Sequence, residues 1–428
     1  MDIGVTKIEM EVGVMDRRVK CKNLIGVLIA FIIAILSESS ICPNTVYQKA
    51  FLCMLALVGI IYTMFFCKDK SEKKIIYTVF LFALPFIFAS LYTFVYGCIN
   101  GDPLGVRFQA FTTSMYIVID ILVVIGIFFV WKYESIKIIS NAIIFSYGIT
   151  VTVGIVKYGI RNLWLYITAR NMYPDWYFSG TFERHDVGVA VVPLILFFSC
   201  EIISKKEWKN VEYWIRILLL LAILFLCGKR SAYIGLLSGI LLLVVYMLVK
   251  NKKNILSYII IGISLSASFL YVYLIKSGTL QNIFEILNIN SMGRLTVYNW
   301  FSNQYKLSFF YFGKGFQYIH KYMISGLGSE LVNKFGYLHN SILQIYIEMG
   351  FIGFWIWLGI WMVLNPVVVK KIIGKSTARF YICLMVSMLA ICTVDNVITY
   401  PLFQICMYMA VLQHSYEEKD DLYIKDVF

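Results

Sequence analysis

The chain has 428 residues, of which 60% are hydrophobic and only 15% charged, with a mean hydropathy of +0.76. Soluble domains carry about 25% charged residues, so this composition excludes an ordinary globular fold: one aqueous core could not bury so much apolar side chain. The net charge of +13 does not point to nucleic acid, because Lys and Arg gather in short clusters between apolar runs. Membrane topology and contact with anionic lipid produce that pattern.

In chain order, apolar runs fall near 24–41, 48–67, 75–97, 108–131, 138–158, 186–203, 211–227, 231–249, 255–275, 341–364, 378–398 and 400–414. Most approach the about 20 residues needed to cross a bilayer, and in lipid each must be helical to satisfy its own backbone. The expected fold is an all-α polytopic membrane protein with about 12 transmembrane helices, forming a single membrane domain over 1–428. The first run follows Asp16-Arg17-Arg18-Val19-Lys20-Cys21-Lys22 and lacks a small-residue cleavage site, so it reads as a signal anchor. Basic clusters at Arg17/Arg18/Lys20/Lys22, Lys68/Lys70/Lys73/Lys74, Lys205/Lys206/Lys209, Lys250/Lys252/Lys253 and Lys370/Lys371/Lys375 share one side if every run crosses. That side is the cytoplasm, and both termini are expected there.

Two long segments, 159–185 and 276–340, then fall on the outer side. The second is a large extracytoplasmic loop before the tenth helix, rich in aromatics and poor in the Pro, Ser and Glu of disordered chain. A helical period starts at Ser291, the expected N-cap. Leu295, Tyr298, Phe301 and Tyr305 share one face, and Arg294, Asn299, Ser302, Asn303 and Lys306 fill much of the remainder. This helix is expected at the interface, with its apolar face on lipid or on the bundle. Phe309–Phe316 then reads as an interfacial stretch broken by a glycine turn. Its rings have two readings, an aromatic belt at headgroup level or stacking faces for sugars.

Three segments carry candidate chemistry. Cys227-Gly228-Lys229-Arg230-Ser231 forms a tight outer turn at the start of the eighth helix, and Ser231, Gly235 and Gly239 make a small-residue stripe behind it. A basic pair beside a helix N-terminus is a natural anion site; the alternative is that Lys229 and Arg230 only snorkel to the interface. Gly293-Arg294 opens the loop helix, where Arg294 is either a ligand or a solvated charge. Leu338-His339-Asn340-Ser341 enters the tenth helix, and Asn340, Gln344 and Glu348 recur every four residues on one face. Glu348, about two turns into the bilayer, is a functional candidate by default, with a structural pairing as the alternative. His339, at the helix mouth, can accept a proton as a neutral imidazole. Asp120 and Asp395 are also embedded, and the sequence gives neither a partner.

Taken in order, Gly180-Thr181-Phe182, Gly-Lys-Arg-Ser-Ala at 228–232, Gly293-Arg294 with Trp300 following, Gly-Lys-Gly-Phe at 313–316 and His339-Asn340-Ser-Ile-Leu-Gln-Ile-Tyr-Ile-Glu348-Met-Gly-Phe-Ile-Gly353 resemble the O-antigen ligase and O-antigen polymerase superfamily. The resemblance covers roughly 180–355. Glu183-Arg184-His185-Asp186 departs from the small or amide residues common after Gly-Thr-Phe, and Lys229 stands where Ser is common. The resemblance implies a type-C glycosyltransferase-like fold in the cell (plasma or inner) membrane, acting on the outer leaflet with a polyprenyl-pyrophosphate-linked oligosaccharide as donor.

On that reading Arg230 and Arg294, with Lys229 and Arg184, would bind the pyrophosphate, since arginine offers a permanent charge and forked donors. His339 would be the catalytic base, with Glu348 a second catalytic candidate, and Trp300 and Asn340 would touch sugar. The transfer would be a single inverting displacement needing no metal and no cofactor. Expected partners are membrane lipid, a flippase and a chain-length regulator, and not nucleic acid. Family usage favours a polymerase of O-antigen, capsular or exopolysaccharide repeat units. The alternatives are a ligase acting on lipid A core, a transporter or flippase, and a scaffold in an export complex.

Overall fold

In the computed structural model the described residues are 24–36, 45–67, 70–168, 184–204, 208–249, 253–288, 291 and 293–427. They are helical with short turns, and no strand occurs among them. In chain order the helices are α1 (Leu24–Leu36), α2 (Thr45–Ile61), α3 (Lys70–Phe80), α4 (Leu84–Asn100), α5 (Val106–Trp131), α6 (Ser135–Tyr158) and α7 (Ile160–Thr168). Then come α8 (Arg184–Ser204), α9 (Val211–Cys227), α10 (Arg230–Leu248), α11 (Lys253–Lys276), α12 (Thr279–Ile286), α13 (Arg294–Ser302), α14 (Tyr318–Ile324) and α15 (Glu330–Phe335). The last four are α16 (Ser341–Gly359), α17 (Asn365–Ile372), α18 (Lys375–Cys392) and α19 (Pro401–Val427).

Every expected apolar run is largely helical where it is described. Eight helical stretches, with α3–α4 and α16–α17 each counted as one, are long and apolar enough to cross a membrane. Crossings beyond eight would have to come from shorter or more polar helices: α1, α2, α9 and α19. The shortest expected run, 400–414, opens α19, which lies deep in the bundle. Phe403 and Cys406 through Leu412 are buried there, against α5, α8 and α18. Conversely, Leu237 and Leu241 of α10 and Ile259 and Ile263 of α11 are exposed, as hydrocarbon-facing side chains must be.

Two interruptions shape the bundle. Between α3 and α4 the backbone tightens over Leu81–Ala83, and the buried Asn365 amide donates to Leu81 O at 3.1 Å and to the Tyr381 hydroxyl at 3.0 Å. An irregular carbonyl at membrane depth needs such a partner. The second interruption is at Gly350, where α16 takes φ 69° and ψ −173°. The loop stretch Tyr311–Gly315 plugs this break: Phe351 N donates to Tyr311 O (2.8 Å), and Lys314 N and Gly315 N donate to Glu348 O (3.0 and 2.7 Å). Backbone meets backbone here. A Cβ at Gly350 would lie 2.2 Å from Tyr311 O, and one at Gly313 would lie 2.4 Å from Glu348 O. The glycine turn of 313–316 is therefore a wedge in a membrane helix, while the preceding Phe309, Phe310 and Phe312 are exposed.

The loop between α11 and α16 is ordered by four short helices. On α13, Val297, Tyr298 and Phe301 are buried, as is Tyr305 just beyond it, so the expected apolar face exists and rests on the protein. Phe301 meets Tyr322 edge-on at 5.6 Å, and Tyr305 meets Tyr346 at 5.8 Å. The N-cap is Gly293, at φ 81°, rather than Ser291. The chain turns through a left-handed conformation that a serine disfavours, and Ser291 contributes its carbonyl to Arg294 N (3.1 Å) instead.

Candidate active site

At the end of the bundle that carries α12–α15, a cavity of about 840 Å³ opens. Lys229, Arg230, Arg294 and His339, distant in sequence, all line it. The α9–α10 turn places the first two. Gly228 closes α9 at φ 63°, its N–H reaching Leu224 O and Phe225 O, which leaves Lys229 as the extended N-cap of α10 and Arg230 as its first residue. Arg294 is likewise the first residue of α13. Two helix N-termini thus carry arginine at the cavity, where backbone N–H groups and guanidinium together favour an anion.

The three cations have different environments. Lys229 Nζ lies 2.6 Å from Asp395 Oδ2, with the carboxylate fully buried. The guanidinium groups of Arg230 and Arg294 make no hydrogen bond or ion pair to any described residue. Lys229 is therefore committed to the scaffold, while the arginines keep their donors open. Arg184 begins α8, and its side chain lies outside the described residues, as do Gly180, Thr181 and Phe182.

Asp395, in the turn between α18 and α19, is a hub that sequence reasoning left without a partner. Besides Lys229, its carboxylate accepts from Ser231 Oγ (3.1 Å), Tyr400 OH (2.8 Å) and Asn396 N (2.9 Å). Its carbonyl accepts from Ser341 N and Ser341 Oγ, both at 3.0 Å. His339 Nδ1 lies 3.9 Å from Asp395 Oδ1 and has no hydrogen-bond partner. His339 also sits at φ 52°, a left-handed conformation that costs a non-glycine residue about 1–3 kcal/mol and clusters at functional sites. Its carbonyl is held by the Tyr298 hydroxyl at 3.1 Å. Burial pushes that hydroxyl up to about 12, so Tyr298 remains a neutral donor.

Burial by itself would raise the Asp395 carboxyl, but His339, Lys229 and Tyr400 outweigh it and hold the group well below the ordinary carboxylate range. A depressed folded-state pKa gives stability that is complete above the unfolded value of about 3.9 and is lost as pH falls through the folded value. The thermal midpoint of the detergent-solubilised protein should therefore fall as pH drops below about 4. Asp395→Asn should lose this acid-dependent component and, by leaving Lys229 buried without its counter-charge, cost about 3–5 kcal/mol at neutral pH. An acid slope identical in wild type and variant would remove Asp395 from this role.

The remaining sequence candidates lie apart from the cavity lining. Asn340 caps α16 by accepting from Leu343 N (3.0 Å), while its own N–H donates to Asn396 Oδ1 (3.1 Å) and its amide to Tyr271 OH (3.3 Å). Glu348 is fully buried away from the cavity, with Oε1 accepting from Gln344 Nε2 (3.0 Å) and Ile319 N (3.1 Å). It joins α16 to α14. Trp300 is 40% exposed on the far part of α13. Residues that the sequence reading did not assign to the site also line the cavity: Gln109, Thr113 and Asp120 of α5, Asp186 of α8, Gln317, His320 and Tyr400. Asp120 and Asp395 had one usable signal, a carboxylate next to or within an apolar run; the others had none.

Residues 215–358 match the family model described as O-antigen ligase. That span runs from α9 into α16 and contains Lys229, Arg230, Arg294 and His339, while Asp395 and all of α5 lie outside it. No curated protein matches the chain.

Proposed function

We propose, from the match of residues 215–358 to the O-antigen ligase family model, that this chain is a ligase- or polymerase-type membrane enzyme that joins lipid-linked oligosaccharide repeat units into an O-antigen, capsular or exopolysaccharide. The donor would be a glycan on polyprenyl pyrophosphate, met at the outer leaflet of the cell membrane by a protein with both termini in the cytoplasm. The observation that carries this reading is the division of labour in one cavity. Two arginines with open donors stand at helix N-termini, and a half-buried histidine with a free ring nitrogen lies next to a buried carboxylate.

The chemistry follows from those groups. An acceptor hydroxyl oxygen attacks the anomeric carbon, and the bond from that carbon to the pyrophosphate oxygen breaks with its electron pair. The leaving pyrophosphate gains charge as this happens, which Arg230 and Arg294 stabilise more strongly in the transition state than before it. His339 takes the hydroxyl proton. Since Nδ1 lies toward Asp395, Nε2 is the nitrogen to receive it, and the resulting imidazolium is stabilised by the carboxylate 3.9 Å away. One displacement inverts the anomeric centre. Pyrophosphate neutralisation by two arginines supplies what a divalent cation supplies elsewhere, which favours a metal-independent route.

A deletion strain tests the assignment through its surface polysaccharide. Single repeat units on the finished glycolipid are the expected result, with a full ladder restored by wild type. Long polymer accumulating on the lipid carrier with none on lipid A core would make the protein a ligase instead. Repeat units trapped on the cytoplasmic leaflet would make it a flippase.

A further inference from the structure

The cavity has a second set of polar groups besides its cations, outside the family-matched span apart from Gln317. Gln109, Thr113 and Asp120 line it from α5, at spacings of four and seven residues that keep them on one helix face. Gln317 lines it from the loop that plugs α16. Asp120 is 6% exposed and Gln317 5%, yet neither Asp120 Oδ2 nor Gln317 Nε2 has a hydrogen-bond partner among the described residues. Leaving a buried polar group unpaired costs its desolvation, and such exceptions call for a physical cause. Gln317 bears a further cost, because its φ of 72° is left-handed. An orphaned carboxyl oxygen and an orphaned amide nitrogen, on two buried residues that line the same cavity, are the marks of a site completed by its ligand.

We propose that Gln109, Thr113, Asp120 and Gln317 form a hydroxyl-reading subsite for the sugar portion of the lipid-linked substrate, distinct from the cations that hold its pyrophosphate. The inference rests on the reading of the cavity given above. Sugar hydroxyls both donate and accept; a carboxylate accepts, a threonine hydroxyl does both, and an amide offers one group of each kind. Phosphate suits this set less well, because it offers only acceptors, whereas a hydroxyl can also donate to the Asp120 carboxyl and to the Gln317 amide oxygen. The eleven helical steps from Gln109 to Asp120 span about 16 Å, longer than a single sugar ring, so the subsite suits an oligosaccharide.

Binding to the full-length protein in lipid nanodiscs tests this with two probes: polyprenyl pyrophosphate, and the polyprenyl-pyrophosphate-linked repeat unit extracted from a strain lacking the protein. Gln317→Leu and Asp120→Leu should each weaken the sugar-bearing probe at least tenfold and leave polyprenyl pyrophosphate within twofold. Asp120→Asn, which keeps the shape, should fall between wild type and leucine, and it covers the case in which the leucine variant fails to fold. If the sugar-bearing probe binds all variants as it binds wild type, the orphaned atoms are served by water and the subsite is excluded. Equal weakening of both probes also excludes it, since the residues would then hold the lipid pyrophosphate or the scaffold. Arg294→Ala reports separately on the underlying reading. It should weaken both probes, and if it weakens neither, the pyrophosphate assignment falls while the difference between probes still decides the sugar subsite.

Discussion

Alanine at Arg294 should lower turnover of a lipid-linked donor by about 10²–10³-fold while leaving the amount of protein in the membrane unchanged. The residue opens α13 with no ion pair or hydrogen bond from its guanidinium to the described protein, so its removal breaks nothing structural and removes a charge from the cavity. Arg294→Lys should recover only part of the loss, because an ammonium is a point charge without the forked donors that meet two phosphate oxygens. Arg230→Ala should behave like Arg294→Ala. Lys229→Ala should differ from both, since Lys229 is bound to Asp395 at 2.6 Å and its loss should appear first as a lower thermal midpoint. Single-turnover rates on purified enzyme make the comparison. Rates within threefold of wild type for Arg294→Ala would reduce that guanidinium to an interfacial charge.

Gly350→Ala should destabilise the fold by about 3–5 kcal/mol, combining a backbone region open only to glycine with overpacking. The new Cβ would lie 2.2 Å from Tyr311 O and against Phe312 and Gly313, and backbone has no rotamer with which to move aside. Gly359→Ala, in the same helix, is the control: it is helical, has open space around its Cβ direction, and should be neutral or slightly stabilising. The fraction of monodisperse protein after detergent extraction, and its thermal midpoint, read both. If Gly350→Ala extracts and melts like Gly359→Ala, the crossing of the loop and α16 does not hold the fold together.

The helices were legible because lipid demands a run of fixed length with little charge, a property that survives reading one residue at a time. Even the shortest run, 400–414, opens a helix at its expected place, although its burial inside the bundle carries no sequence mark. The break at Gly350 was not legible. Glycines are common in membrane helices, and only the arrival of Gly313 from the loop tells why this one is needed. The face defined by Asn340, Gln344 and Glu348 was read correctly as a helical face, but periodicity says nothing about which neighbour that face meets. It meets α14 and the scaffold rather than the cavity. Of the cavity cations, Arg230 and Arg294 could be singled out as charges beside glycine turns. The pairing of Lys229 with Asp395 could not, because nothing local relates residues so far apart in the chain.

That pairing has a consequence for how the protein comes into being. Lys229, Ser231 and Ser341 enter the membrane well before the carboxylate and carbonyl they hold at Asp395. Until the turn after α18 has emerged from the ribosome and found its place, Lys229 has no counter-charge and the mouth of α16 is not anchored. A partly made chain therefore has the arginines and the histidine but not their fixed arrangement. On the proposed function, catalytic competence arrives only once α18 and the turn that carries Asp395 are in place.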